Sequence, residues 1–369
     1  MNMMDYLDWR GDITFQEREL NEVDNLIFST LVYLKMDGLI SGDASVRLTI
    51  DELCQACEAA ETDTSGTTCD PMKLLRKAAS TDRFRNVTVC YYRSLYDAEE
   101  QVQFAAVTFK YAADKYYAAF RGTDNTITGW REDCNFSYAL HTPGQTAAAD
   151  YLSYVLAQTD GTFTAGGHSK GGNFAVYACA FCDKRSGNDR ITKIYSNDGP
   201  GFNSEIADSE NYMSILNILE KIIPESSIVG ILLSSKARRK VITSTAKSVN
   251  QHNPYTWNVS GTHFTEADSR SIASIALDRT LSSWISSLDA HEKQLIIDSV
   301  FDALESSGAE TMQELNSQKK ETFFALLKAA VELDPEKRKE IAGAFGKFFA
   351  SGKDTLYSNI IKIREIPDK

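Results

Sequence analysis

The spacing of apolar positions changes character several times along the 369 residues. Between 21 and 37, Val23, Leu26, Ile27, Thr30, Leu31 and Leu34 recur near the three-to-four-residue interval of one helix face, which predicts an amphipathic helix packed on a core. Further helices are expected over 50–60 and 74–79, separated by a Thr-, Ser-, Gly- and Asp-rich loop at 61–70. After Asn86 the helical period gives way to β-branched and aromatic runs. VTVCYYRSLY, QVQFAAVTFKY and KYYAAFRG, divided by polar turns, predict successive strands paired antiparallel.

From 146 onward elements of the two kinds alternate. A helix over 146–157, the strand GTFTAGG, a helix opening at Lys170 and the strand ITKIYSND have the order of βαβ units, which require parallel strands buried on both faces. A last strand is expected over 240–246. Beyond Thr265 the period is helical, with Leu281, Trp284, Ile285 and Leu288 on one face and Leu295, Ile296, Val300 and Leu304 on another. The apolar stretch 212–233, interrupted at Pro224, fits either a cap over a site or ordinary core.

Composition narrows the class. With 43% hydrophobic and 24% charged residues the chain can bury a sizeable core. A net charge of -12 disfavours binding to a nucleic-acid backbone. The short basic cluster Lys236, Arg238, Arg239 and Lys240 reads as a solvated helix end. The first residues lack the basic and apolar blocks of a secretory signal, and no window offers the ~20 apolar residues of a membrane span. Seven scattered cysteines, an odd number, fit a reducing compartment, so a cytoplasmic protein with free thiols is expected. The pairs Cys54 and Cys57, and Cys179 and Cys182, have CxxC spacing. Both fall in apolar helical patterns with no histidine nearby, which favours packing over metal, and neither a metal nor a cofactor is expected.

The chemistry concentrates at Gly167, His168, Ser169, Lys170 and Gly171, a GxSxG between a predicted strand and a predicted helix. That context describes a nucleophile elbow, in which a tight turn lifts the serine hydroxyl clear of the sheet and a helix N-terminus faces the developing oxyanion. A serine hydroxyl needs a base, and a base needs an orienting acid. Of five histidines, His141 and His168 precede the serine and His291 lies in a predicted helix; His252, in the loop after the predicted last strand, is the expected base and His263 the reserve. Asp198 ends the strand ITKIYSND beside the elbow and is the expected acid, with Glu225 next. The order Ser169, Asp198, His252 is that of α/β-hydrolases. Oxyanion donors are expected from the Lys170 amide and from the Thr123 amide or hydroxyl, while Trp130 and Asp133 are expected to fix a loop.

The prediction is therefore an α/β-hydrolase fold with a mostly parallel central sheet over 1–264 and a C-terminal helical appendage over 265–369. FRGTD, GWRED, GGHSKGGNFAVYA, NDGPGF, IIPESSIVG and QHNPYTW, in that order, resemble the bacterial Mbeg-like hydrolase family, related to class 3 lipases. The resemblance spans roughly residues 1–264. It implies Ser169 as nucleophile, Thr123 at the oxyanion hole and a late histidine best matched by His252. It does not fix the acid: the segment that carries the acid in those lipases is best matched by IIPESSIVG, which has Ser227 at that place, whereas Asp198 resembles the position used by pancreatic-type lipases. Lys170 departs from the apolar residue common after a lipase nucleophile, and a cation there would favour anionic or polar headgroups.

The expected function is hydrolysis of a small-molecule or lipid-like carboxylic ester through an acyl-enzyme on Ser169. A thioesterase or acyltransferase would use the same triad. A binding protein that retains the fold, with the appendage as its working surface, is the alternative of a different class.

Overall fold

The computed structural model describes residues 1–60, 70–124, 126–305, 336, 339–341, 343 and 347. Most of the expected loop at 61–70, Cys69, and most of the chain after 305 lie outside them. The helices are α1 (Met3–Arg10), α2 (Glu22–Leu31), α3 (Ile50–Ala59), α4 (Pro71–Ala79), α5 (Ile127–Asn135), α6 (Pro143–Ala157), α7 (Lys170–Phe181), α8 (Ser204–Ala207), α9 (Glu210–Ser214), α10 (Ile272–Ser286) and α11 (Ala290–Glu305).

One eight-stranded sheet follows the chain in spatial order. Strands β1 (Leu48–Thr49), β2 (Thr88–Asp97), β3 (Val102–Ala112) and β4 (Lys115–Phe120) pair antiparallel, the last three joined by short turns and β1 reached across α3 and α4. From β4 onward β5 (Thr162–His168), β6 (Ile191–Asn197), β7 (Leu219–Pro224) and β8 (Arg239–Ile242) add in parallel, giving the mostly parallel sheet that the alternation predicted. Each parallel step moves to the next strand in one direction, so crossovers of one hand must gather on one face. The other face then needs a separate cover. Strand alternation shows the division: Val107, Phe109, Tyr117 and Ala119 belong to the core beneath α1–α4, and Phe104, Ala106, Ala118 and Phe120 to the core beneath α6 and α7.

Helix α2 differs from its expected form. It ends at Leu31 and is buried along its whole length, polar residues included. Those residues find partners inside. Asp24 receives two hydrogen bonds from Arg83 (2.8 and 2.5 Å), Asn25 bonds Asn197 on β6 (2.9 Å) and Ser29 bonds Tyr117 on β4 (2.9 Å). A period that reads as one wet face is therefore a polar seam between helix and sheet.

Two further expectations change. The basic cluster is no helix end: it runs into β8, where Lys236 pairs Asp208, Arg239 pairs Asp278 (3.4 Å) and Lys240 pairs Glu22 (2.8 Å). That strand is also shorter than 240–246. The stretch 212–233 is mainly core, because its middle is β7 between β6 and β8. Five of the six described cysteines are buried. Among the described residues no helix is long and apolar enough to cross a membrane.

Helices α10 and α11 lie against the carboxyl-end loops. Ser271 N donates to Glu225 O (2.8 Å) and Ser274 Oγ to Ser227 O (2.9 Å), which fixes the start of α10. Arg131 on α5 pairs with Asp298 (2.8 Å) and Asp302 (3.0 Å) on α11, and Phe301 packs on Ile127.

Candidate active site

The site begins where β5 meets α7. Ser169 has φ 59° and ψ -132°, outside the usual range for a residue with a side chain, as the last residue before the helix. Such a turn leaves no room around it. A Cβ on Gly171 would come within 2.0 Å of Phe120 O. The neighbouring loop after β4 runs equally close, since a Cβ on Gly122 would lie 2.6 Å from His168 O and 3.1 Å from Ser169 Cβ.

His252 lies in a 3₁₀ turn after β8, with Nε2 3.0 Å from Ser169 Oγ and Nδ1 2.7 Å from Asp198 Oδ2. Asp198 directly follows β6 and is fully buried at φ 50°, its amide held by Ile222 O on β7 (2.7 Å). Its second oxygen, Oδ1, accepts from Ser227 Oγ (2.5 Å) and from Gly230 N (3.1 Å). Three acceptor contacts keep this carboxylate aimed at the imidazole. With Nδ1–H donated to Asp198, Nε2 carries the free lone pair toward the serine hydroxyl.

His252 is also held from behind. His168 is buried with its ring 4.6 Å from that of His252, and its Nε2 donates to His252 O (2.8 Å) while the Tyr33 hydroxyl approaches Nδ1 (3.2 Å). Burial pushes the pKa of His168 down to about 3, so it stays neutral and keeps the tautomer this contact requires.

Thr123, at the end of the loop after β4, donates through Oγ1 to Asp133 Oδ2 on α5. The other carboxyl oxygen, Asp133 Oδ1, is buried with no hydrogen-bond partner among the described residues. Burial raises the Asp133 pKa to about 6, opposed by the nearby Lys170 charge and the Thr123 hydrogen bond. At the same elbow the Lys170 amide opens α7, where no carbonyl of its own helix can receive it.

The Lys170 side chain does not face a substrate. It is fully buried, with Nζ bonded to Gln103 O (3.0 Å), Gln103 Oε1 (2.7 Å) and Glu132 Oε2 (3.1 Å), so the expected role in attracting anionic headgroups is withdrawn. Glu132 also accepts from Gln103 N (3.0 Å) and Gly144 N (2.9 Å). This ion pair ties the elbow to β3, α5 and α6.

The two reserve candidates lie elsewhere. His263 Nδ1 is 3.0 Å from Glu22 Oε1 with most of its side chain exposed, and Glu225 receives Gln251 Nε2 (3.4 Å). Sequence reasoning had no role for His168, Tyr33 or Glu132. The first stands next to the serine and the third inside GWRED, but neither neighbourhood reveals a contact made across 84 or 38 positions.

Ser169 opens into a cavity of about 340 Å³ lined on the core side by Trp130, Asp133, Val229, Leu232 and Leu233 and across from them by α10 and α11. Strand order, elbow and the chain from serine to histidine to carboxylate define a hydrolase fold of lipase type. The chain belongs to the Mbeg1-like family, whose model matches residues 78–302. Among solved structures it is similar to M37 lipase (16% identity, TM-score 0.34, covering 56% of this chain and 68% of that one). It is also similar to the lipase of Rhizomucor miehei in complex with its propeptide (14% identity, TM-score 0.36, covering 66% and 81%). No curated protein matches the sequence.

Proposed function

We propose that the protein is a serine esterase in which Ser169 is the nucleophile, His252 the general base and acid, and Asp198 the residue that orients the imidazole. The observation that carries this reading is the continuous contact Ser169 Oγ to His252 Nε2 (3.0 Å) and His252 Nδ1 to Asp198 Oδ2 (2.7 Å) at a strained elbow beside a cavity.

In the first half-reaction Ser169 Oγ bonds to the ester carbonyl carbon as its proton passes to His252 Nε2. The carbonyl oxygen takes the negative charge, and the amides of Lys170 and Thr123 receive it. The Thr123 hydroxyl is engaged by Asp133, which fixes the rotamer of that residue and leaves its amide for the oxyanion. The bond to the alcohol oxygen then breaks and the alcohol leaves with the proton from His252. Water attacks the acyl-enzyme, gives its proton to His252, and the proton returns to Ser169 Oγ as the acid departs. Asp198 stays ionised throughout and stabilises the imidazolium.

The test is hydrolysis of a p-nitrophenyl ester by the purified protein and by Ser169→Ala. Loss of at least about a thousandfold in kcat/KM with an unchanged melting temperature is expected. Equal rates for the two proteins would refute the assignment.

A further inference from the structure

The cavity at Ser169 is built half by the core and half by helices that carry none of the residues assigned above. Leu281, Trp284 and Ile285 of α10 and Ile297, Val300 and Phe301 of α11 face Trp130, Leu232 and Leu233 across it. Among the described residues that line it, only Asp133 and Lys293 have a carboxyl or amino side chain. A face so apolar favours a hydrocarbon chain over a polar group along most of its length, and Asp133 beside the serine disfavours an anionic substituent near the reacting carbon.

Size selects further. A cavity of about 150 Å³ holds a six-carbon ring, so about 340 Å³ takes up on the order of ten carbons of an unbranched chain. The two helices are also joined to the catalytic loops. Ser274 on α10 bonds the backbone of Ser227, whose hydroxyl bonds Asp198, and Arg131 holds α11 to the helix that carries Asp133.

We propose that α10 and α11 form one wall of an acyl-binding site, and that the protein selects neutral carboxylic esters of a single unbranched acyl chain on the order of ten carbons. This rests on the esterase reading for its chemistry, not for the binding. Each methylene that enters the cavity raises kcat/KM about fourfold until the cavity is full, and further carbons add nothing.

The experiment compares p-nitrophenyl acetate with p-nitrophenyl decanoate in the full chain, in Leu281→Trp, which fills the cavity, and in Trp284→Ala, which enlarges it. The decanoate-to-acetate ratio of kcat/KM falls at least about tenfold in Leu281→Trp, whereas general destabilisation lowers both substrates alike. In Trp284→Ala the preferred chain lengthens. Calorimetric binding of 1-decanol, a neutral ligand of the same chain length, to Ser169→Ala, lost in Ser169→Ala/Leu281→Trp, reads the site without turnover. Such binding in a protein that hydrolyses neither ester would leave the wall standing and defeat the esterase reading. Unaltered ratios in both variants, or 1-decanol binding that Leu281→Trp leaves intact, overturns the wall.

Discussion

Ser227 Oγ donates a 2.5 Å hydrogen bond to Asp198 Oδ1, so the loop after β7 brings a hydroxyl against the carboxylate of the proposed triad. The two side chains reach each other from the end of β6 and from the loop after β7, Ser227 on Oδ1 of the carboxylate and His252 on Oδ2. Asp198→Asn should therefore lower kcat by on the order of 10⁴ with little change in melting temperature. Glu225→Gln, which alters only a contact with Gln251, should cost little. The double variant Asp198→Ser/Ser227→Asp should recover activity over Asp198→Asn, measured as kcat on one ester at one pH. Full activity in Asp198→Asn would remove this residue from the triad.

His168 holds His252 through a backbone contact rather than through its reacting nitrogen. His168→Ala should leave KM nearly unchanged and reduce kcat by roughly ten- to a hundredfold, the scale at which a displaced catalytic group loses its alignment. Because its pKa is depressed to about 3, His168 is not the group behind an activity loss between pH 6 and 7. Steady-state kinetics across pH on both proteins checks this: the midpoint of the acid limb should be the same in each.

Asp133 gives a pH dependence of stability with a definite sign. Its folded pKa is raised from 3.8 to about 6, so the folded state binds its proton more tightly, and that contribution, full below pH 4, is lost as pH rises through 6. Asp133→Asn keeps an acceptor for Thr123 and has no charge to bury. Its stability relative to the parent should rise by up to about 3 kcal/mol between pH 4 and pH 8. Urea unfolding at both pH values measures the difference, and a difference that shrinks with pH would contradict the burial of this carboxyl.

The N-terminal cover of the sheet depends on one fully buried pair. Arg83 binds Asp24 through two hydrogen bonds and also donates to Ile13 O (2.8 Å) and Glu19 O (3.0 Å). Arg83→Met should destabilise the protein by about 3–5 kcal/mol, because it leaves a buried carboxylate without a counter-charge. Adding Asp24→Leu should return part of that loss. Chemical denaturation of the single and double variants decides it.

How much of this was legible from the residues follows from the range of the interactions. The strand runs and the GxSxG between a strand and a helix are local patterns, and local sterics alone make Ser169, Gly167 and Gly171 readable. The placement of His252 after the last strand was inferred from chain order, and in the structure it lies 3.0 Å from Ser169 Oγ. What the pattern could not give is pairing across the fold. The polar residues of α2 look like a solvent face until Asn197, Tyr117 and Arg83 are seen opposite them. Lys170 looks like a free cation until Glu132 is seen. Helices α10 and α11 carry an ordinary apolar period, and their place beside Ser169 shows only in the structure.

The central claim is that Ser169 is an activated nucleophile, and the rate of covalent labelling by a fluorophosphonate measures that activation without assuming a substrate. The probe should label the purified protein quickly, with the added mass on the peptide containing Ser169, and labelling should be abolished in Ser169→Ala and strongly slowed in His252→Ala but not in His263→Ala. Absence of labelling in the parent protein, or selective loss in His263→Ala, would contradict the account.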